Sequence, residues 1–329
     1  MKTYFLTGGE GFIGYHLSKE LVKNPKNLII TYDAQKHYIP FDKSNWAFYQ
    51  NYRINSLRNK RIIRLRGDCT DRGWLKECLE QYKPQTIIHL AALPIAGISN
   101  DYPKEAKVNI FDSTVTLLDI LRNVNFNFDR IIYTSSSMVY GDFLRNSKGH
   151  IIPAKEDQIC SPIGIYGAMK LSGEQIVKVY HYRFGVPYVN IRPSAVYGPT
   201  DCNRRVTEIF VNNALKGKEL ILDNSGEHEL DFTYVKDLIQ GFLLALNRKE
   251  AIGKTFNITR GEGRKVKELA FIISKLVPNT KIVDRDLKPY RANRGTLNIS
   301  KAKNILGYNP KYSLEEGIKK YIEFIRKNE

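Results

Sequence analysis

The run Thr3-Tyr4-Phe5-Leu6-Thr7-Gly8-Gly9-Glu10-Gly11-Phe12-Ile13-Gly14 decides how this chain folds. Residues 3–7 are aromatic, apolar or β-branched and carry no charge, the composition of a strand buried on both faces. Glycines follow at once, with Gly8, Gly11 and Gly14 three apart. A helix then opens, its apolar residues Phe12, Ile13, Leu17 and Leu21 recurring near a 3.6 period towards Lys23. Glycine at these points permits a tight turn and a close approach of backbone to a pyrophosphate. The helix N-terminus adds unpaired N–H donors and a positive dipole end. Strand, glycine turn and helix together predict the first half of a βαβ unit.

Working outward, the alternation continues. Leu28–Tyr32, Arg61–Leu65, Thr86–Leu90, Arg130–Thr134 and Tyr188–Arg192 read as further strands, with helices near 71–82, 103–124 and 166–184. The pattern predicts an α/β chain: a Rossmann-type doubly wound parallel sheet with a smaller C-terminal lobe. Residues 1–192 are expected to form the nucleotide-binding domain and 193–329 mainly a substrate-binding lobe. Within the latter, 234–258 is expected to return to the main sheet. Lys36–Lys60 interrupts the rhythm. Its aromatics Tyr38, Phe41, Trp46, Phe48, Tyr49 and Tyr52 predict a helix of its own that packs against something. Ser313 and Glu316 form a capping box for a last helix, to about Arg326.

Composition narrows the class. The chain has 329 residues, 42% hydrophobic and 26% charged, which excludes a disordered, collagen-like or coiled-coil chain. No apolar run approaches the ~20 residues of a membrane span, and the N-terminus reads as no secretory signal. Cys69, Cys78, Cys160 and Cys202 show no CxxC spacing and no neighbouring histidines. They read as reduced, mostly buried thiols of a cytoplasmic protein, with no metal site. The net charge of +17 favours anionic partners, although a lysine-rich solvated surface accounts for most of it.

Two further signals carry chemistry. Asp33 closes the second strand, about 20 residues after the glycines, where an acid holds ribose hydroxyls and repels a 2′-phosphate. That favours NAD over NADP, though Lys36 nearby works against it. Tyr166 and Lys170 stand four apart on one helix face, one turn apart. An ammonium beside a phenol favours phenolate, which predicts a lowered pKa and a tyrosine able to act as a general base. The serine run Ser135-Ser136-Ser137 lies about 30 residues upstream, at the carboxyl end of the fifth strand, the edge where such sheets bind ligands.

In this order the motifs resemble the extended short-chain dehydrogenase/reductases, and within them the NAD-dependent nucleotide-sugar epimerases and dehydratases. The likeness is to enzymes of the UDP-glucose/UDP-galactose 4-epimerase kind. It covers essentially the whole chain: TGGEGFIG (7–14), Asp33, Gly67-Asp68, HLAA (89–92), Asn109, TSSSMVYG (134–141), YGAMK (166–170), RPSAVYGP (192–199), DFTYVKD (231–237) and NISKAKNILGYNPKYSLEEGI (298–318).

The resemblance implies that Gly8, Gly11, Phe12, Ile13 and Gly14 hold the NAD pyrophosphate, and Asp33 its adenosine ribose. Asp68 and Cys69 would face the adenine. Leu90, Ala91, Ala92 and Asn109 would line the cofactor cleft, with Lys170 on the nicotinamide ribose and Pro193 near the nicotinamide. Tyr166 would be the base and Ser136, four residues before Tyr140, its hydroxyl partner. The chemistry implied is removal of a sugar hydroxyl proton by Tyr166 with hydride transfer to NAD. A transient keto sugar results, its oxygen supported by Ser136.

Dehydratases of this family carry an Asp-Glu pair just after the catalytic hydroxyl residue, and decarboxylases a glutamate. Here Ser137 and Met138 stand there, and neither can serve as an acid or base. Epimerisation at C4, in which hydride returns to the other face, needs no further acid, so a 4-epimerase of a nucleoside-diphosphate sugar is the first reading. A reductase or dehydrogenase is its alternative, followed by a decarboxylase or dehydratase. A nucleotide-sensing or RNA-binding Rossmann protein is the alternative from another class. Retention of Ser136, Tyr166 and Lys170 together weighs against it and against a nucleic-acid partner. Ala195 replaces a substrate-contacting asparagine of relatives, and Leu230 replaces an arginine that clamps the diphosphate. Arg204, Arg205, Arg291 and Arg294 are then the candidates for that anion. The helices 103–124 and 166–184 match those of the family's dimer interface, which implies a homodimer with Val108, Val115, Leu118, Ile176 and Val179 as apolar contacts.

Overall fold

The computed structural model describes residues 1–38, 45–286 and 292–328. Phe41 and Arg291, both named above, lie outside the described residues.

Five strand-helix units and a sixth strand follow one another. They are β1 (Lys2–Thr7), α1 (Phe12–Leu21), β2 (Asn27–Asp33), α2 (Trp46–Ser56), β3 (Ile62–Arg66), α3 (Arg72–Tyr82), β4 (Thr86–His89), α4 (Ala96–Asp101), α5 (Pro103–Ala106), α6 (Ser113–Leu121), β5 (Arg130–Thr134), α7 (Ile165–Phe184) and β6 (Tyr188–Arg192). The remaining elements are β7 (Val196–Tyr197), α8 (Val206–Leu215), β8 (Leu220–Asp223), β9 (Glu229–Asp231), β10 (Thr233–Tyr234), α9 (Val235–Asn247), β11 (Lys254–Asn257), β12 (Gly263–Lys265), α10 (Val266–Leu276), β13 (Ile282–Arg285) and α11 (Leu314–Asn328).

The central sheet has seven strands in the order β11-β6-β5-β4-β1-β2-β3. Every pairing in it is parallel, so the strand order reverses beside β1. Strand β11 lies beside β6, with Phe256 opposite Ile191. Successive residues point to opposite faces, so Leu6, Ile29, Ile88 and Ile132 pack on one side and Phe5, Ile30, Ile87 and Ile131 on the other. Helices α1, α9 and α11 cover the first face through Leu17, Phe242 and Ile318, and α3, α6 and α7 cover the second through Leu75, Leu117 and Val177. Each fully buried side chain of this size contributes about 1.5–3 kcal/mol. The first cluster runs on without a break into the C-terminal elements, taking in Leu220, Leu230 and Val266.

Those C-terminal elements are small two-stranded pieces: β10 with β7, β13 with β8, and β12 with β9. Helix α11 begins on the predicted box, with Ser313 N donating to Glu316 Oε2 (3.0 Å) and Glu316 N to Ser313 Oγ (3.2 Å). The excursion after β2 does contain a helix, α2, whose Tyr49 is fully buried beside Phe324 of α11.

The long helix expected over 103–124 departs from a regular helix. Its centre, Lys107–Asp112, is π-helical. Ser113 Oγ donates to the carbonyl of Asn109 (2.9 Å) and Thr114 Oγ1 to that of Ile110 (2.6 Å), drawing acceptors away from the regular ladder. The extra residue turns Asn109 into the cleft described next.

Candidate active site

A cleft of about 920 Å³ opens along the carboxyl edge of the sheet. It is bounded on one side by the glycine turn and on the other by 193–207, 221–230 and 292–294.

The glycine turn is built by close approach. Gly8 has φ +66°, and a Cβ there would lie 2.8 Å from the Ala91 nitrogen; one on Gly14 would lie 2.4 Å from the Gly8 carbonyl oxygen. Gly11 caps α1 with no side-chain hydrogen bond, so the first N–H groups of that helix face the cleft uncapped. At the end of β2, Asp33 accepts from the backbone N–H of Glu10 (2.9 Å) and of Gln35 (2.7 Å). Burial raises its carboxyl pKa despite these bonds. Lys36 reaches across to Asp68 (2.6 Å) and to Asn109 Oδ1 (2.8 Å). Burial alone would raise the Asp68 carboxyl, but the Lys36 and Thr70 hydrogen bonds hold it below its usual value. The Cys69 thiol is buried and raised well above the ordinary range by desolvation. Leu90, Ala91, Ala92 and Pro193 complete this wall.

At the middle of the cleft β5 ends in a tight 3-10 turn, in which Ser136 Oγ accepts from Met138 N (3.1 Å). Helix α7 passes close over it; a Cβ on Gly167 would lie 2.5 Å from the Met138 carbonyl. That contact sets Tyr166 beside Ser136, whose hydroxyl is near enough to favour the phenolate. One turn on, Lys170 is 3% exposed and donates from Nζ to the Thr134 carbonyl (2.8 Å). The packing of α7 on β6 is pinned by Arg192, which makes a fork to Glu174 at 2.8 and 2.7 Å with both groups buried.

The electrostatics correct one expectation. The Tyr166 phenol is raised, not lowered: burial dominates, and Arg205 and the Ser136 hydroxyl only oppose it. Burial also pulls the Lys170 ammonium down to about 7, with Glu174 opposing. The reason is geometric. Lys170 Nζ lies 5.9 Å from the centre of the Tyr166 ring and spends its donor on the Thr134 carbonyl, while both groups sit in a desolvated pocket.

On the far wall, Ser137 Oγ accepts from Arg294 Nη1 at 3.5 Å, and Arg205 pairs with Asp201 (3.0 Å). Ala195, Thr200 and Arg204 all have positive φ, at +36°, +70° and +51°. Leu230 is 6% exposed and closes the floor. Met138, Ala195, Arg204, Arg205 and Arg294 line the same cleft. The structure thus gathers every site residue named from the sequence that lies among the described residues. It also adds groups the sequence reading passed over. Glu10 is 1% exposed, paired with Arg64 (2.6 Å) and with Gln35 (2.7 Å). Arg53 and Gln50 come from α2, and Asn100 accepts from the first N–H of α7 (3.0 Å). A charge inside the glycine turn is the one linear signal that pointed to Glu10; nothing in the periodicity marks the others.

The cleft fits a dinucleotide. The Gly8–Gly14 cradle has no room for Cβ atoms, α1 presents an uncapped N-terminus, and Thr134 Oγ1 and Ser135 Oγ are buried with no protein partner. Among the described residues no group of three or more His, Cys, Asp or Glu is placed to hold a metal, and no helix is long and apolar enough to cross a membrane.

Fold and site together define an extended short-chain dehydrogenase/reductase. Residues 4–259 match the model of the NAD dependent epimerase/dehydratase family. The chain belongs to that family. It is 32% identical to an uncharacterized protein of Methanocaldococcus jannaschii, over 99% of this chain and 97% of the other. Among solved structures, the UDP-glucuronic acid 4-epimerase of Bacillus cereus, crystallised with UDP-glucuronic acid and NAD, superposes with a TM-score of 0.89 at 28% identity, covering 99% of both chains. The UDP-glucose 4-epimerase of Thermotoga maritima, crystallised with UDP-glucose, gives 0.86 at 26% identity, again over 99% of both chains.

Proposed function

We propose that this chain is an NAD-dependent epimerase that inverts C4 of a nucleoside-diphosphate sugar. One observation carries the reading: Ser136, Tyr166 and Lys170 share one wall of the cleft, while the two positions after Ser136 hold Ser137 and Met138 and no carboxylic acid. The 4-epimerases among its structural neighbours support the same reaction class.

In this reading Tyr166 takes the proton of the C4 hydroxyl and later returns it. Ser136, beside that phenol, steadies the developing oxygen charge. The chemistry NAD supplies when bound is reversible acceptance of a hydride, which passes the sugar through a 4-keto form. The glycine turn and α1 N-terminus hold the cofactor diphosphate, with Gly8, Gly11, Phe12, Ile13 and Gly14 lining it. Asp33 takes the ribose, and Asp68 and Cys69 take the adenine side. Leu90, Ala91, Ala92 and Asn109 form the wall, and Lys170 and Pro193 the nicotinamide end. Lys170 orients the ribose and supplies positive charge below its pKa of about 7. Arg204, Arg205 and Arg294 meet the substrate diphosphate in place of the arginine that Leu230 displaces, with Ser137, Met138 and Ala195 around the sugar. Arg291 belongs to the same proposal.

We also propose division into lobes at Arg192, with 234–258 belonging to the first, and a cytoplasmic role in carbohydrate metabolism as a homodimer. Val108 and Val179 are exposed on the paired helices and support an interface there; Leu118 is fully buried in this chain's own core and takes no part.

The test is a mass-resolved assay of the purified protein with UDP-, GDP-, CDP- and dTDP-sugars in heavy water, without added cofactor. A product of unchanged mass carrying no deuterium is expected. Deuterium uptake, or loss of water or carbon dioxide, would overturn C4 epimerisation.

A further inference from the structure

Arg53 is a buried cation at this cleft whose hydrogen bonds go to no carboxylate among the described residues. It lies on α2 and is 2% exposed. Nε donates to the Glu10 carbonyl (2.9 Å), inside the glycine turn. Nη1 donates to the Thr200 carbonyl (2.8 Å) and to Cys202 Sγ (3.7 Å), and Nη2 to Gln50 Oε1 (2.8 Å). One guanidinium therefore spans two segments nearly two hundred residues apart, on opposite walls of the cleft. Lysine, a single ammonium without the planar fork, would make these contacts only in part.

What it holds is strained. Thr200 is fully buried and β-branched, yet has φ +70°. Such a conformation is costly and persists only where its surroundings over-determine it. The neighbouring carbonyl, that of Pro199, accepts from His16 Nε2 of α1 (2.8 Å). Burial draws the His16 pKa down to about 4, so the ring is neutral and carries its proton on Nε2. Two donors from the cofactor side thus grip consecutive carbonyls of the turn that leads into Arg204 and Arg205.

We propose that Arg53 is a positioning residue that couples the two half-sites. It ties the dinucleotide turn at Glu10 to the turn that presents Arg204 and Arg205, so that NAD and the nucleotide-sugar each strengthen the other's binding. The inference rests on the reading of the cleft as a shared site for both.

The experiment needs no turnover. The rate of NAD release from the purified protein is measured with and without saturating UDP, and UDP affinity is measured by calorimetry. In the parent, UDP is expected to slow NAD release by roughly 10-fold, within the usual range of coupling between sites. In Arg53→Met, UDP affinity falls by a similar factor, NAD leaves faster, and UDP no longer alters that rate. Arg53→Lys, which keeps the charge and most of the volume, restores part of the coupling. A merely structural defect would weaken binding without abolishing the dependence of one ligand on the other. The proposal is overturned if UDP slows NAD release equally in parent and Arg53→Met, or if the parent binds both without coupling. Should Arg53→Met fail to fold, Arg53→Lys decides, and undiminished coupling there overturns it. A parent that binds neither ligand would instead bring down the reading of the cleft itself.

Discussion

The two walls of the cleft are made in different ways. The cofactor-side wall is assembled from consecutive strand-helix units, and most of its groups sit at a strand's carboxyl end or a helix's first turn. Its demanding position, Gly8 with φ +66°, is met by the residue type that bears it at no steric cost. The opposite wall is assembled from short pieces and turns. There Ala195, Thr200 and Arg204 have positive φ with ordinary side chains, held by tertiary contacts such as Arg53 and His16. One wall is stabilised locally; the other is stabilised from a distance. Substitutions in the first should act on one function at a time, whereas the second should respond to its supports.

The largest expected effect lies where the walls meet. Tyr166→Phe should lower turnover by roughly 10³-fold, the scale of a lost general base, while the protein keeps its fold and its NAD. Steady-state rates and the absorbance of released cofactor check both halves. Normal turnover would remove Tyr166 from the chemistry. Next comes Gly8→Ala, whose methyl would meet the Ala91 backbone at 2.8 Å in a left-handed conformation. Retained NAD should fall by about 100-fold or more, the scale of a lost pyrophosphate cradle. Undiminished retention would show that this wall yields as readily as the other.

The far wall can be probed through its buried carboxylates. Burial and the nearby Asp201 push Glu208 from 4.5 up to about 7. Between those values the folded chain holds a proton that the unfolded chain has lost. Its stabilising contribution is therefore present below pH 4.5 and is lost as pH rises through 7. Glu208→Gln mimics the protonated form and keeps an acceptor for Asn212 (2.6 Å). Its advantage over the parent in denaturant unfolding should open across that window to about 3 kcal/mol at pH 8. An advantage that does not change with pH would show that Glu208 is ionised at no cost. The smallest effect expected is that of Arg205→Ala. It should weaken UDP binding by roughly 10-fold and leave NAD affinity unchanged, which sharpens the separation of the walls. Equal loss of both ligands would merge them.

The sequence was most readable where structure is local. Alternation of apolar strands with periodic helices marked the elements of the parallel sheet, and the glycine turn marked its first βαβ unit. The i,i+4 spacing of Tyr166 and Lys170 placed them on one face. That same spacing misled on electrostatics, because burial, which no spacing reveals, raises the Tyr166 phenol and draws Lys170 to the Thr134 carbonyl. The helix over 103–124 was readable as a helix, but its π-helical centre depends on Ser113 and Thr114 bonding backward. Glu10 and Arg53 were hidden for a further reason. Each looks like a surface charge in the chain, and each is buried by partners 25 or more residues away.

The choice of Ser136 from its serine run came from the family resemblance. Composition, period and glycine placement, taken alone, determined the fold class and the cofactor edge and set Tyr166 and Lys170 on one helix face. These depend on short-range geometry: alternating side-chain direction in strands, one turn per 3.6 residues in helices, and the steric freedom of glycine. Only the tertiary structure decided which arginines face the cleft, how the 199–205 turn is held, and how far each ionisable group is shifted. Those depend on distances between segments remote in sequence and on desolvation, and both come into being only when the chain has closed on itself.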